Sequence, residues 1–298
     1  MKTRHFLSLM DLSADEFRQI VARAAELRAG VEASQVLRHQ AAAMVFEKSS
    51  TRTRVSFEAG IAQMGGSSIF LAPGDSHLQR GEPLEDTARV LSRMVKLIIM
   101  RTGAHERVVR MAEASTVPVI NALSDFNHPC QLLADIQTCI QYLGDIRGNK
   151  IAWIGDGNNV CHSWMNAARL LDFQLYIASP DGYGPEKSLV SACGQNVVIC
   201  DNPDDAVADS SVVVTDCWIS MGQERERRDM GACFEPYQVN ESLMAKADRE
   251  AIFMHCLPAY RGSEVSAAVI DGPQSVVWDE AENRLHAQKA LMEFLLNA

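Results

Sequence analysis

Ser49-Ser50-Thr51-Arg52-Thr53-Arg54 concentrates four hydroxyls and two guanidinium groups in six residues, directly after the apolar run from Ala41 to Phe46. Val55, Phe57, Ile61 and Met64 then recur at helical spacing, so the segment reads as a strand feeding a helix N-terminus. The first N–H groups of a helix lack intrahelical partners and carry positive partial charge. Hydroxyls and arginines placed there form a pocket for phosphate or carboxylate, and arginine favours planar, bidentate anions. An ordinary N-cap would need only one of these hydroxyls. The glycine-rich Walker loop is absent, which removes the usual nucleotide cradle.

Other reactive side chains also stand where strands end or helices begin. Arg101 closes the apolar run that starts at Lys96, and His128 and Gln131 flank a helix start in Asn127-His128-Pro129-Cys130-Gln131. Arginine, histidine and threonine donors converging on one oxygen would make an oxyanion-type site. Asp216 follows Val212-Val213-Val214 and opens Asp216-Cys217-Trp218-Ile219-Ser220-Met221-Gly222, an acid suited either to capping a loop or to holding an ammonium. His255-Cys256-Leu257-Pro258 follows Ile252-Phe253-Met254; zinc would require a second ligand pair at suitable spacing, and none is present. Gly155-Asp156-Gly157-Asn158-Asn159 resembles a dinucleotide turn but has Val160 where the third glycine belongs. Its asparagines instead offer amides at the carboxyl end of a strand.

These groups need two α/β units to carry them. A chain of 298 residues exceeds the efficient size of one core, so two domains of roughly 130 to 150 residues are expected. Ser13 to Glu16 fits a capping box ahead of a first helix. Strands are expected at Ala41 to Phe46, Ser68 to Leu71, Lys96 to Arg101 and Val117 to Ile120. Helices are expected between them and from about Cys130 to Leu143. Glycines and charges from Gly144 to Lys150 mark the boundary. Strands Ile151 to Ile154, Gln174 to Ala178, Val197 to Cys200, Val212 to Thr215, Ile252 to Met254 and Val276 to Trp278 follow, then a closing helix from Ala281 to Leu296. Alternating elements of this kind imply parallel sheets covered on both faces. The expected class is α/β, two doubly wound parallel-sheet domains joined by interdomain helices. The first spans 1–145, with the helix 281–298 packing back on it, and the second spans 146–280.

A formal charge of −10 disfavours nucleic acid and acidic membranes as partners. No run approaches the roughly 20 apolar residues of a membrane span, and the N-terminus lacks the apolar core of a signal peptide, so a cytoplasmic protein is expected. The eight scattered cysteines read as reduced thiols, six or seven of them small core residues and Cys256 the exception.

Taken together, Ser50-Thr51-Arg52-Thr53-Arg54, Asp86-Thr87-Ala88-Arg89-Val90-Leu91 and His128-Pro129-Cys130-Gln131 resemble the carbamoyl-phosphate half of the transcarbamoylase family. Asp216 to Gly222 and His255-Cys256-Leu257-Pro258 resemble its ornithine branch, and the similarity runs on to Glu282-Asn283-Arg284-Leu285-His286. The resemblance implies transfer of a carbamoyl group from carbamoyl phosphate to the side-chain amine of L-ornithine, a step of arginine biosynthesis that can run in either direction. No cofactor and no metal are implied. By the same resemblance Ser50, Thr51, Arg52, Thr53, Arg101, His128, Gln131 and Arg284 bind carbamoyl phosphate. Asn159, Asp216, Ser220, Met221, Cys256 and Leu257 bind ornithine. Arg101, His128, Asp216 and Cys256 are the catalytic set, Cys256 either taking a proton or only positioning the amine. The family assembles as trimers or multiples of trimers with shared sites, and His77 or Gln79 stands near the place of its loop glutamine. Relatives acting on N-acetylornithine, putrescine or aspartate, and a non-catalytic sensor of phosphate and amino acid, are the competing readings.

Overall fold

The computed structural model describes residues 3–72, 74, 81–218 and 232–297, and every element below belongs to them. The chain forms two compact units, one of residues 1–137 with 282–298 and one of residues 138–281.

In the first unit, Ala14–Arg28 (α1) starts at Ser13, whose hydroxyl and the Glu16 carboxylate satisfy each other's backbone N–H as the capping box requires. The sheet is wholly parallel, in the order Ser67–Leu71 (β2), Ala41–Phe46 (β1), Leu97–Arg101 (β3) and Val119–Leu123 (β4). Phe6 adds a single parallel bridge to Ile120 beside β4. Arg52–Gln63 (α2) follows β1, Leu84–Leu91 (α3) follows β2, and His105–Ala114 (α4) follows β3. Leu84 and Ala88 of α3 and Val108 and Met111 of α4 pack with Ala43, Val45, Ile98 and Met100 into one core. Phe57 and Ile61 of α2 are buried, whereas Val55 is 58% exposed and anchors nothing.

The second unit's sheet is also parallel: Val197–Cys200 (β7), Gln174–Ala178 (β6), Lys150–Ile154 (β5), Val212–Thr215 (β8) and Ile252–His255 (β9). Pro129–Leu143 (α5) leads into it, and Asn159–Leu171 (α6), Lys187–Cys193 (α7) and Pro203–Val207 (α8) connect its strands. Glu241–Met244 (α9) and Ala267–Ile270 (α10) lie on either side of β9 in the chain.

The expected strand from Val276 to Trp278 is not one. Only Ser275 bridges Phe253, and the closing helix Val277–Leu296 (α11) already begins at Val277. A three-residue apolar run has no periodicity to separate a strand from a helix start. The cysteines also differ from expectation: Cys130, Cys139, Cys161, Cys193 and Cys217 are buried, Cys200 and Cys256 half-buried, and Cys233 exposed. All eight are free thiols.

Both sheets reverse their strand order in the middle, between β1 and β3 in one and between β5 and β8 in the other. Open parallel sheets bind ligands outside the carboxyl ends of strands at that reversal. The loops after β1, β5 and β8 carry Ser50, Asn158 and Asp216, and Arg101 is the last residue of β3.

Candidate active site

The first unit gathers its site around Thr53. Ser50, not Thr51, caps α2: its Oγ accepts from the Thr53 N–H at 3.3 Å, while Thr51 has helical dihedrals and makes no side-chain cap bond. Thr53 is buried, and its Oγ1 accepts from Arg284 Nη2 at 3.2 Å and from Arg101 Nη1 at 3.5 Å. Arg101 stands at a register shift between β3 and β4, a bulge of the kind that re-aims a side chain. Arg284 Nη1 donates to Gln131 Oε1 in a short bond, and Gln131 Nε2 donates to Asp135 Oδ1 at 2.8 Å. Arg54 belongs elsewhere, paired with Glu58 at 3.0 Å and stacked 3.7 Å from the Phe70 ring.

His128 is buried among these cations. Burial first, then the charges of Arg284, Arg101 and Arg52, hold its imidazole well below the ordinary histidine range. It is therefore neutral at physiological pH and able to donate an N–H without adding charge. Asn127 sets the start of α5, since Asn121 Nδ2 donates to its Oδ1 at 2.7 Å and the Ser124 N–H donates to its carbonyl at 3.0 Å.

Glu47, which the sequence did not single out, ties the loops after β1 and β3 together. Its carboxylate accepts from Arg107 Nε at 3.0 Å and from Thr102 Oγ1, and its N–H donates to the Arg101 carbonyl at 2.8 Å.

In the second unit the centre is Asp216, 8% exposed. Its Oδ1 accepts from the Cys217 N–H at 2.7 Å and from Cys256 Sγ at 3.1 Å, and its Oδ2 accepts from Asn158 Nδ2 at 2.8 Å. Asn158 is also the cap of α6, its Oδ1 accepting from the Val160 and Cys161 N–H groups, so the helix start and the carboxylate are fixed by one side chain. Sequence reasoning chose its neighbour Asn159, which is the half-buried first residue of α6. Burial, then the adjacent Asp216, pushes the Cys256 thiol well above its usual range, so it is an S–H donor rather than a thiolate. Burial, then Asp216, likewise pushes the Asp156 carboxyl up to about 7.

Asp216, His255 and Cys256 bring one ligand-type atom each within 4.8 Å of one another. His255 is engaged otherwise: Nδ1 accepts from the Leu257 N–H at 2.8 Å, and Nε2 lies 3.3 Å from Glu264 Oε1. That bond holds Leu257 at φ +56°, a left-handed conformation uncommon for a branched side chain and of the sort found at ligand-binding positions. Ser220 and Met221, together with His77 and Gln79, lie outside the described residues.

The carbamoyl-phosphate-binding domain of the aspartate/ornithine carbamoyltransferases matches residues 4–141, and their Asp/Orn-binding domain matches residues 147–295. The chain belongs to the aspartate/ornithine carbamoyltransferase family. Within it, the chain is 61% identical over 298 residues, all of both chains, to the ornithine carbamoyltransferase of Methylococcus capsulatus. It is 58% identical to that of Nitrosococcus oceani, covering 99% of this chain and 98% of the relative. Among solved structures, the ornithine carbamoyltransferase of Pyrococcus furiosus superposes with a TM-score of 0.94 at 44% identity, over 99% of this chain and 97% of the other. The anabolic enzyme of Campylobacter jejuni does so with 0.93 at 41% identity, over 99% of both. The expected pair of parallel α/β units is therefore this family's architecture.

Proposed function

We propose that this carbamoyltransferase moves the carbamoyl group of carbamoyl phosphate to the side-chain amine of L-ornithine, giving L-citrulline and phosphate. The observation that carries the choice of amine is Asp216, a buried carboxylate oriented by Asn158, Cys217 and Cys256. A second substrate carboxylate, as in aspartate, would meet like charge there, whereas an ammonium meets its counter-ion. An N-acylated amine would leave that carboxylate with no cation to meet.

Ser50, Thr51, Arg52, Thr53 and Arg101 hold the phosphate, with Gln131 and Arg284 on the same substrate. Arg101, Thr53 and neutral His128 donate to the carbonyl oxygen, where negative charge develops as the amine attacks. Each well-aimed donor lowers the barrier by roughly 2.7 to 4 kcal/mol. An alkyl ammonium has no lone pair, so ornithine reacts only after losing a proton. Phosphate departs as a stabilised anion. The raised Cys256 thiol supports a positioning role, because an S–H that already donates to Asp216 is poorly placed to accept the amine's proton. Asn159, Ser220, Met221 and Leu257 complete the ornithine contacts.

The enzyme acts as a homotrimer or a multiple of trimers. Val55, Ile69, Val90 and Met94 of the first unit are 45% to 72% exposed, and β2 is an edge strand, a surface that a partner would cover. Native mass spectrometry reads the subunit number. Eight free cysteines accord with a reducing, cytoplasmic compartment.

A side-by-side assay with ornithine, N-acetylornithine, putrescine and aspartate tests the function. Carbamoyl transfer to ornithine, at least about tenfold more efficient than to any other amine, is expected. Preference for another amine would overturn the reading.

A further inference from the structure

Gln288 lies one helical turn beyond Arg284 on α11 and is fully buried. In the amide orientation its neighbours require, its oxygen accepts from Arg284 Nη2 at 3.1 Å and Nε at 3.3 Å, and its nitrogen donates to Ser56 Oγ at 2.7 Å. Ser56 Oγ in turn lies 2.8 Å from the Arg52 carbonyl and 3.2 Å from the Thr53 carbonyl, to which it donates. A continuous chain of hydrogen bonds thus runs from the guanidinium of α11 to the first turn of α2, where the proposed phosphate-binding residues stand.

The two helices are close enough for this chain to be stiff. A Cβ on Gly60 of α2 would already touch Lys289 Cγ at 3.3 Å and Met292 Cε at 3.4 Å, and Lys289 Nζ bonds Gln63 Oε1 at 2.7 Å one turn further along. Buried long side chains lose rotamer freedom when ordered, and a site that holds its arginine before the anion arrives has already met that cost.

We infer that Gln288 is a positioning residue for carbamoyl phosphate: it fixes the Arg284 guanidinium and, through Ser56, holds α2's first turn in register with it. A neutral amide suits the task. A carboxylate would fix the arginine equally well but would spend its charge on the protein instead of the substrate phosphate. A methionine of similar length would fill the space and release the arginine. The inference rests on the function proposed above, since it assigns Arg284 to that substrate.

The experiment is a double-mutant cycle of Gln288→Met and Arg284→Ala, with KM for each substrate and kcat from citrulline formation. Isothermal titration with inorganic phosphate and melting curves accompany the kinetics. Gln288→Met alone should raise KM for carbamoyl phosphate about tenfold while leaving KM for ornithine within about twofold. Combined with Arg284→Ala it should add clearly less than its single effect, because one of its two arms acts through the arginine and only the Ser56 arm remains. Gln288→Glu should weaken carbamoyl phosphate as well. Multiplicative effects in the double mutant, an equal loss for both substrates, or wild-type parameters in Gln288→Met would each overturn the assignment. Should Gln288→Met not fold, Ser56→Ala severs the same chain at its other end, and wild-type KM values there would overturn it equally. If the wild-type enzyme forms no citrulline, the proposed function fails instead. The phosphate titration then decides alone, equal affinities in wild type and Gln288→Met counting against the role of Gln288.

Discussion

Asp216 receives three donors on two oxygens, from Asn158, Cys217 and Cys256, and each fixes the direction in which its remaining lone pairs point. Asp216→Asn keeps the shape and removes the charge. Ornithine binding should weaken at least about tenfold and carbamoyl-phosphate binding by less than about twofold, as separate calorimetric titrations would show. Equal losses would mean that the substitution disturbs the fold rather than the ammonium. Asp156 offers a pH test. Its carboxyl is pushed up to about 7 from an ordinary 3.8, so the native state binds a proton that the unfolded chain releases. Its contribution to stability is fully present below about pH 4 and is lost as pH rises to about 7, above which the buried charge is a constant penalty. Asp156→Asn removes that penalty. Its melting temperature should therefore gain more over wild type at pH 8 than at pH 5, by about 2 to 4 °C for each ~1 kcal/mol of difference. Scanning calorimetry at both values checks this, and a shift independent of pH would remove Asp156 from the account.

At the scale of elements, the turn between β5 and α6 is held by its backbone. Trp153 Nε1 donates to the Asp156 carbonyl at 2.9 Å, and the Gly157 N–H donates to the Tyr183 carbonyl at 2.7 Å. A Cβ on Gly157 would fall 2.2 Å from Pro185 N and 2.4 Å from Gly184 C. Backbone cannot yield as a side-chain tip does, so Gly157→Ala should destabilise the protein by about 2 kcal/mol or more and loosen the Asn158 cap. Gly184→Ala, where nothing lies within 4 Å, is the control and should be nearly neutral in denaturant titration. This turn also marks where sequence reading stops. The strands β1, β6, β7 and β8 were legible to the residue because mostly apolar runs end at a polar residue there, Glu47, Ser179, Asp201 and Asp216. Ser50, Arg101, His128, Asp216 and Cys256 were legible because each stands at the end of such a run or at a helix start. Asn158 was legible only as one of two amides at a strand's carboxyl end, and Gln288 was not legible at all. Their meaning depends on Asp216, 58 residues away, and on Ser56, far back in α2, and no local pattern announces a partner at that distance.

At the scale of the whole molecule, the unit that carries Ser50, Arg101 and His128 is discontinuous, since it is built from 1–137 and 282–298, whereas the other is the single stretch 138–281. Arg284 reaches Thr53 across 231 residues of chain. A chain cut after residue 281 should therefore lose phosphate binding outright, by titration, even though Ser50, Thr51, Arg52, Thr53, Arg101 and His128 all remain. Adding the missing helix as a separate peptide should restore part of it. Binding unaffected by the cut would mean that α11 contributes nothing to the anion site.

That discontinuity also has a bearing on how the protein is made. Domains usually acquire their folds in the order in which the ribosome emits them. Here the order is inverted: the later-emitted stretch 138–281 is self-contained, while the earlier one must wait for the last helix before Arg284 and Gln288 can take their places. A nascent chain thus exposes the apolar side of α2 around Gly60 throughout synthesis of the second unit, and Thr53 meets Arg284 only after that closing helix has emerged.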